Sequence, residues 1–162
     1  MIGATTLRDM FEGIVLSHEE GLTFHSIWNI ALDADHDIVY PAAIWYAPEQ
    51  QGVKEGKNIL DAFTLQLRFE AIHATERTTD ERDTAHADMS LVARQCFYRF
   101  LDLYTRTMTT YGAEDIDLRL EGSYTLTPFW DRAATSTTGV ILTFTVIDNA
   151  APCVSDSDFP IT

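Results

Sequence analysis

Three aspartates are the first residues of this chain whose types and spacing could support chemistry. Asp33, Asp35 and Asp37 match the first three ligand positions of a calcium-binding loop. The match fails at the sixth position, which is Ile38 rather than glycine, and at the twelfth, which is Ile44 rather than glutamate. An acidic turn between two strands is the better interpretation, so no metal site is predicted here.

The histidines, cysteines and serines form no known catalytic or metal-binding signature. The five histidines contain no His-Glu-x-x-His pair: they are His18, His25, His36, His73 and His86. Gly122-Ser123 lacks the Gly-x-Ser-x-Gly pattern of a nucleophile, Cys96 falls on an apolar helical stripe, and Cys153 has no histidine near it in sequence. We therefore expect no enzyme, no catalytic residue, no metal and no cofactor. A metal site assembled from distant residues, or a small acidic enzyme, remains the alternative.

The composition is that of one soluble domain. The chain has 162 residues, of which 46% are hydrophobic and 22% charged. No apolar run is long enough for a transmembrane helix, and the first residues lack the pattern of a signal peptide. We expect synthesis in the cytosol, no membrane contact, a single domain over residues 1–147, and an acidic, proline-containing tail over residues 148–162.

The net charge of -14 comes from 25 acidic and 11 basic residues. Such a balance argues against a protein that grips nucleic-acid phosphates, because that function needs a basic face. It is compatible with an acidic wall past which DNA slides without binding. It is equally compatible with acidity that only keeps the protein soluble.

A long helical pattern over residues 79–108 organises the remaining elements. Leu7, Met10, Phe11, Ile14 and Val15 predict a first helix over residues 7–18. Strands are predicted over residues 22–31, 38–47, 60–72, 116–126 and 140–147. The order α-β-β-β-α-β-β and the short connections predict an α+β fold. We expect a twisted, mainly antiparallel sheet with both helices packed on one face.

The third strand alternates most clearly. Its apolar set is Phe63, Leu65, Leu67, Phe69 and Ala71, and its polar set is Thr64, Gln66, Arg68 and Glu70. One face is therefore expected to be buried and the other to be wet or to meet a polar partner, a pattern typical of an antiparallel sheet. Pro41 in the second strand cannot donate to a ladder, so an edge position or a bulge is expected there.

Two predicted loops, residues 48–58 and 127–139, carry the candidate protein-interface residues. These residues are Phe129, Trp130, Asp131, Arg132, Lys54 and Lys57. Aromatic residues and arginine are enriched where proteins meet. The alternative is that the two aromatic side chains fold back and cap the open end of the sheet.

Several short motifs resemble the small structural proteins found in the neck or tail-completion region of tailed bacteriophages. They run in order through nearly the whole chain: Thr-Leu-Arg-Asp-Met-Phe near the start, Ser26-Ile-Trp28, Asp37-Ile-Val-Tyr-Pro41, Phe63-Thr-Leu-Gln-Leu-Arg-Phe69, Leu126-Thr-Pro-Phe-Trp-Asp-Arg132, Gly139-Val-Ile-Leu-Thr-Phe-Thr-Val146 and Cys153. The element order is similar to that of tail terminators. One departure is Gly139-Val140, where the family carries Gly-Trp.

The resemblance implies a virion protein without an active site. It implies a ring, of six subunits, that terminates the tail tube and joins it to the head-side connector. DNA would pass through the ring without specific binding, and the partners would be other copies of the chain, tail-tube proteins and neck proteins. A head-completion or connector protein of the same region is the alternative structural role.

Overall fold

The computed structural model describes residues 3–26, 38–55, 58–72, 79–104, 118–131 and 137–149. The helices are α1 (Ala4–Leu16) and α2 (Thr79–Tyr104). The strands are β1 (Thr23–Ser26), β2 (Ala42–Glu55), β3 (Asn58–Ile72), β4 (Leu118–Asp131) and β5 (Thr137–Asp148). The predicted order α-β-β-β-α-β-β is confirmed. The acidic turn predicted at Asp33, Asp35 and Asp37 lies outside the described residues.

The five strands form one open, mixed sheet in the order β1-β2-β3-β5-β4. Three of the four pairings are antiparallel, as predicted, but β1 runs parallel to β2, from Thr23 opposite Ala42 to Ser26 opposite Trp45. A parallel pair needs a long connection, and residues 27–41 join these two strands.

Both helices pack on the same face of the sheet. The buried inward residues of β3 and β5 are Phe63, Leu65, Leu67, Phe69, Val140, Leu142, Phe144 and Val146. The ring of Phe144 lies 5.7 Å from that of Phe11 in α1, and 5.0 Å and 5.7 Å from those of Phe97 and Phe100 in α2. Because one strand residue contacts both helices, the prediction of a one-sided α+β sandwich is confirmed.

The helices follow their sequence patterns. All five residues predicted for the inner face of the first helix are buried, and Phe11 stacks on Phe100 with 4.4 Å between ring centroids. After α1 the chain turns at Gly21, whose φ of 64° suits glycine. In α2 the buried stripe is Met89, Val92, Ala93, Cys96, Phe97 and Phe100, which confirms the prediction that Cys96 is a buried thiol.

The two predicted loops contain strand residues. β2 continues to Glu55 and β3 begins at Asn58, so residues 48–58 belong largely to a β-hairpin. Pro48 lies where the β2–β3 register shifts between Tyr46 and Glu49, so its missing N–H interrupts no regular ladder. Pro41, for which a bulge was expected, precedes β2 instead.

At one position the backbones of β3 and β5 approach so closely that only glycine fits. Gly139 of β5 pairs with Glu70 of β3. A Cβ added at Gly139 would collide with the carbonyl oxygen of Phe69 and lie 2.9 Å from the Cα of Glu70. Any side chain at this position would therefore push β3 and β5 apart.

The face of the sheet opposite the helices, called the open face here, has a small apolar cluster of its own. Leu60, Ala62 and Ile147 are buried there, with Val53 packed against them. Glu55 near the end of the β2–β3 hairpin forms an ion pair with Arg119 of β4. Since β3 and β5 separate those strands in the sheet, this contact requires the hairpin end to lie over the open face.

Candidate protein interface

Three of the six predicted interface residues are consecutive at the end of β4. Phe129 and Trp130 are adjacent near the end of β4, and Asp131 is the last residue of that strand. Arg132 and Lys57 lie outside the described residues. The two aromatic residues were predicted in a loop, but they continue a strand.

Lys54 lies elsewhere. It is exposed and pairs with Ile59 at the hairpin end of the sheet. Trp130 pairs with Thr138 at the other end. The predicted lysine and aromatic positions are therefore separate surfaces rather than one site.

Phe129 and Trp130 point to opposite faces of the sheet, as neighbours in a strand must. On the open face the guanidinium carbon of Arg68 lies 3.9 Å from the centroid of the Phe129 ring. On the helix side the guanidinium carbon of Arg82 lies 4.6 Å from the centroid of Trp130. Trp130 still exposes 44% of its surface. The arginine contacts hold both rings in place and leave the indole accessible.

A buried ion pair underlies Phe129. Arg68 Nε donates to Glu70 Oε2 at 2.7 Å, and Arg68 Nη2 donates to the Thr137 hydroxyl at 3.3 Å. Glu70 is 2% exposed and the Arg68 side chain 21%. Burial raises the pKa of Glu70, while Arg68 and hydrogen bonds from Thr137 and Tyr40 act to lower it. Of the two expectations for this face, wet or against a polar partner, Glu70 fits the second, because these partners bury it within the open face.

A cleft of about 480 Å³ separates the start of α2 from the end of β4. Its lining residues are Thr79, Arg82, Asp83, His86, Pro128, Phe129, Trp130 and Thr138. His86 Nε2 is buried and has no hydrogen-bond partner within the described ranges. The cleft therefore combines an aromatic wall with one cation, Arg82, one acid, Asp83, and a histidine.

Beyond the cleft, side chains of α2 and β4 contact each other, and the cleft together with this line of contact is called the α2–β4 groove below. At the other end the ring of Tyr124 lies 4.6 Å from that of Phe97 and 6.2 Å from that of Tyr98. The two elements therefore run side by side, with Tyr98 near Tyr124 and Arg82 near Trp130. The β4 side of the groove is a half-buried to exposed row of Leu120, Tyr124, Leu126, Pro128 and Trp130.

The helix side of the groove is polar and partly basic. Arg82 and His86 line it at the cleft, and Arg94 and Tyr98 lie near Tyr124 at the other end. Arg94 Nε donates to the Ser90 carbonyl at 3.2 Å, which directs the side chain along the helix. A hydrogen bond with Tyr98 is the main cause that raises the pKa of Tyr124. The two arginines share the groove with Asp83, which lines the cleft, so its charge is mixed.

The backbone of β4 also borders this groove. β4 is the last strand in the sheet order, and no strand of the described part of the chain lies on its outer side. Its only breaks are the register shift between Glu121 and Thr125, where Gly122 has a φ of 71°, and Pro128, which has no N–H. An open strand edge of this length can accept another strand.

No protein-family model matches this chain, and no curated protein matches it. The groove must therefore be interpreted from its own geometry.

Among the described residues, no three His, Cys, Asp or Glu side chains stand close enough to hold a metal ion. His18 bonds Gln95 at 3.0 Å and His25 bonds the Thr23 hydroxyl at 3.0 Å, so each has a structural partner. Burial raises the pKa of Cys96 to about 12, which keeps its thiol protonated. No described helix has the length and apolar character needed to cross a membrane.

The sequence prediction found the aromatic pair but missed its partners. None of the six predicted interface residues belongs to α2, although Arg82, Arg94 and Tyr98 lie beside β4. No spacing in the sequence singles out these residues, because each step of four turns about 40° around an α-helix, so Arg82 and Tyr98 lie on different sides of it. Nothing in the sequence indicated that β4 would lie beside α2.

Proposed function

We propose that this chain is a structural subunit of a tailed-bacteriophage virion. In this role it forms a ring of six copies that terminates the tail tube and joins it to the head-side connector. The ring lets DNA pass without specific binding. Its work is assembly and not catalysis, and its sites are surfaces that meet other chains.

The observation that carries the proposal is the open edge of β4 beside the α2–β4 groove. A closed ring needs a heterologous interface, in which two different patches of each subunit meet. The groove offers one such patch, with an exposed indole at Trp130, tyrosines at its other end and arginines along its wall. Tryptophan, tyrosine and arginine are the residues that most often dominate interface energies.

The charge supports passage of DNA through the ring. At -14 per copy, the walls of a channel repel phosphate and so do not retain the polymer. The motifs that resemble those of neck and tail-completion proteins are the second support for this role.

The first experiment is native mass measurement and electron microscopy of the purified protein over a concentration series. We expect closed rings of one copy number. Trp130→Ala should raise the concentration needed for assembly, because it removes an exposed aromatic side chain from the groove. Leu91→Ala is the matched control, since Leu91 is 49% exposed on α2 but outside the groove.

The second experiment locates the protein in the particle. Labelling the chain in assembled virions should place it between the tail tube and the head-side connector, with about six copies per particle. A virion proteome that lacks the protein would refute the proposal. A copy number or position typical of the head side of the neck would favour a head-completion role instead.

A further inference from the structure

We propose that Arg94 of one copy binds the acidic end of α1 in the next copy, at Glu19 and Glu20. The inference rests on the proposed ring and deepens it, because it names the two patches that meet between neighbouring subunits. The partner is therefore a second copy of this chain, and both patches consist of residues that the structure describes.

Arg94 is an exposed cation without an acidic partner in the described structure. Other arginines of α1, α2, β3 and β4 pair with acids: Arg8, Arg68, Arg99 and Arg119. The residues three and four positions from Arg94 on α2 are uncharged. Its described hydrogen bond runs from Nε to the Ser90 carbonyl. On a chain with 25 acids and 11 bases, such an arginine is available to an acid of another molecule.

Two tyrosines lie beside Arg94. The rings of Tyr98 and Tyr124 meet edge to face, with 6.2 Å between their centroids. Their hydrogen bond is the main cause that raises the pKa of Tyr124, and the charge of Arg94 acts to lower it, so the guanidinium lies near this phenol. Tyr98 is 56% exposed. Arg94, Tyr98 and Tyr124, called the arginine–tyrosine patch below, combine a cation with aromatic surface, as residues that dominate interface energies often do.

The end of α1 carries negative charge that its own helix does not offset. Glu19 and Glu20 closely follow the helix, and its last turn holds no basic residue. Because a helix C-terminus is itself partly negative, two acids there are unfavourable until a cation approaches. Arg99 lines a cleft with Glu19 but already pairs with Asp102. Leu16 is 56% exposed, so Leu16, Glu19 and Glu20, called the α1 end below, also present apolar surface.

The two patches lie on opposite flanks of α2. Gln95 and Arg99 face the α1 end, since they line the cleft that contains Glu19, whereas the arginine–tyrosine patch adjoins β4. Arg94 and Arg99 point about 140° apart around the helix axis. The body of α2, about 10 Å across, therefore separates Arg94 from the α1 end of its own chain. A contact between the patches must join two copies, and its head-to-tail geometry is the one that a closed ring requires.

The two patches are complementary in charge and in polarity. The guanidinium of Arg94 can meet the carboxylates of Glu19 and Glu20 and the carbonyl end of the helix together. The exposed ring of Tyr98 can cover Leu16 in the same contact. Elsewhere two copies of charge -14 repel each other, so an unpaired cation set against uncompensated acids selects this approach over others.

The test is a charge exchange in the full-length chain. Variant one carries Arg94→Glu, and variant two carries Glu19→Arg and Glu20→Arg. Each should assemble at least about tenfold more weakly than the unmodified chain, by native mass measurement over a concentration series, because like charges then meet at every contact. Variant three carries all three changes and should recover assembly. An equal mixture of variants one and two should also recover it, in rings that alternate the two chains.

Matched controls make the same kinds of charge change away from both patches. Lys54→Glu alters an exposed cation that likewise has no ion pair within the described residues. Glu49→Arg with Glu121→Arg reverses two exposed acids of the open face. Each control should leave assembly within about twofold of the unmodified chain.

Urea unfolding separates a lost contact from a lost fold. Arginines at positions 19 and 20 favour the C-terminus of α1, so variant two should unfold at the same or a higher urea concentration than the unmodified chain. Weaker assembly of a chain that is no less stable then reports the contact itself.

The outcomes distinguish this contact from the ring. Equal ring formation by the unmodified chain and variants one and two overturns the contact and leaves the ring standing. Weakening of both variants without recovery in variant three also overturns it, because charge pairing is then not the cause. If the unmodified chain forms open chains, with loss and recovery as expected, the contact stands and the ring is overturned. A chain that stays monomeric at every concentration overturns both.

Discussion

Removing either member of the buried Arg68–Glu70 pair should destabilise the protein, but by unequal amounts. Glu70 is 2% exposed, whereas the Arg68 side chain is 21% exposed and lies against Phe129. Arg68→Met leaves a carboxylate that cannot reach water. Glu70→Ala leaves a guanidinium that can turn towards water, so its uncompensated charge costs less.

The expected sizes follow from that difference in burial. An uncompensated buried charge costs about 3–5 kcal/mol of unfolding free energy, and Arg68→Met also removes the contact with Phe129. For Glu70→Ala we expect about 2 kcal/mol, the cost of hydrogen-bond donors left without their acceptor. The double replacement by methionine should cost clearly less than the sum of the two single changes, because no unpaired charge remains.

The penalty of Arg68→Met should grow with pH. Burial already raises the pKa of Glu70 above its usual value of 4.5, so the folded state binds this proton more tightly than the unfolded state. Stability contributed by the protonated carboxyl is present at low pH and is lost as pH rises through the raised pKa. Without Arg68 the pKa of Glu70 rises further, which widens the pH range over which this stability is lost.

Urea unfolding followed by circular dichroism, at about pH 5 and about pH 8, measures these differences. Arg99→Met is the control, because Arg99 pairs with Asp102 at 3.8 Å with both side chains well exposed. It should change the unfolding free energy by less than about 1 kcal/mol at either pH. Equal penalties for Arg68→Met and Glu70→Ala, or a penalty for Arg68→Met that does not change with pH, would refute the reasoning.

The other predictions concern the core, the central strands and the thiol. Phe144→Ala should lower the unfolding free energy by about 3–5 kcal/mol, whereas an equal loss from exposed Tyr98→Ala would contradict the assigned core; urea unfolding measures both. Gly139→Ala should cost about 1–3 kcal/mol or more by the same assay, since the added methyl collides with backbone; a neutral result would mean that β3 and β5 do not approach so closely there. In a Cys153→Ser background, Cys96 should resist a thiol reagent in native buffer and react only in urea, because its thiol is buried and protonated at neutral pH; rapid native labelling would refute its burial.

The sequence was sufficient where one periodicity covered a whole element. The strand containing Phe63 to Phe69 alternates so regularly that only one face could be buried, and the structure confirms that face. The first helix has five apolar residues on one side, and all are buried. Such elements are specified by the area that they bury, which a single sequence displays directly.

Polar and proline-containing strands could not be recognised in the same way. The outer half of β2 is almost entirely exposed, because it extends beyond the cover of the helices, so its sequence resembles that of a loop. Pro128 lies in the edge strand β4, where the lack of a backbone N–H can be tolerated because no further strand needs a hydrogen bond from it. Local composition cannot distinguish these strands from loops, since their pairing is decided by distant partners.

The interface was only half predictable for a related reason. Phe129 and Trp130 stood out by residue type, but Arg82 and Arg68 reach them from elements far away in sequence. The parallel pairing of β1 with β2 and the burial of Glu70 likewise depend on tertiary contacts.

The central position of β3 has a consequence for how the chain folds. The β2–β3 and β4–β5 hairpins each join neighbouring segments and can form early, but the β3–β5 ladder joins residues as distant as Asp61 and Asp148. During synthesis the ribosome needs on the order of ten seconds to extend the chain from the end of β3 to β5. Throughout that interval the backbone groups along one edge of β3 have no partner strand. Chaperone binding and misfolding should therefore concentrate in nascent chains that end between α2 and β5.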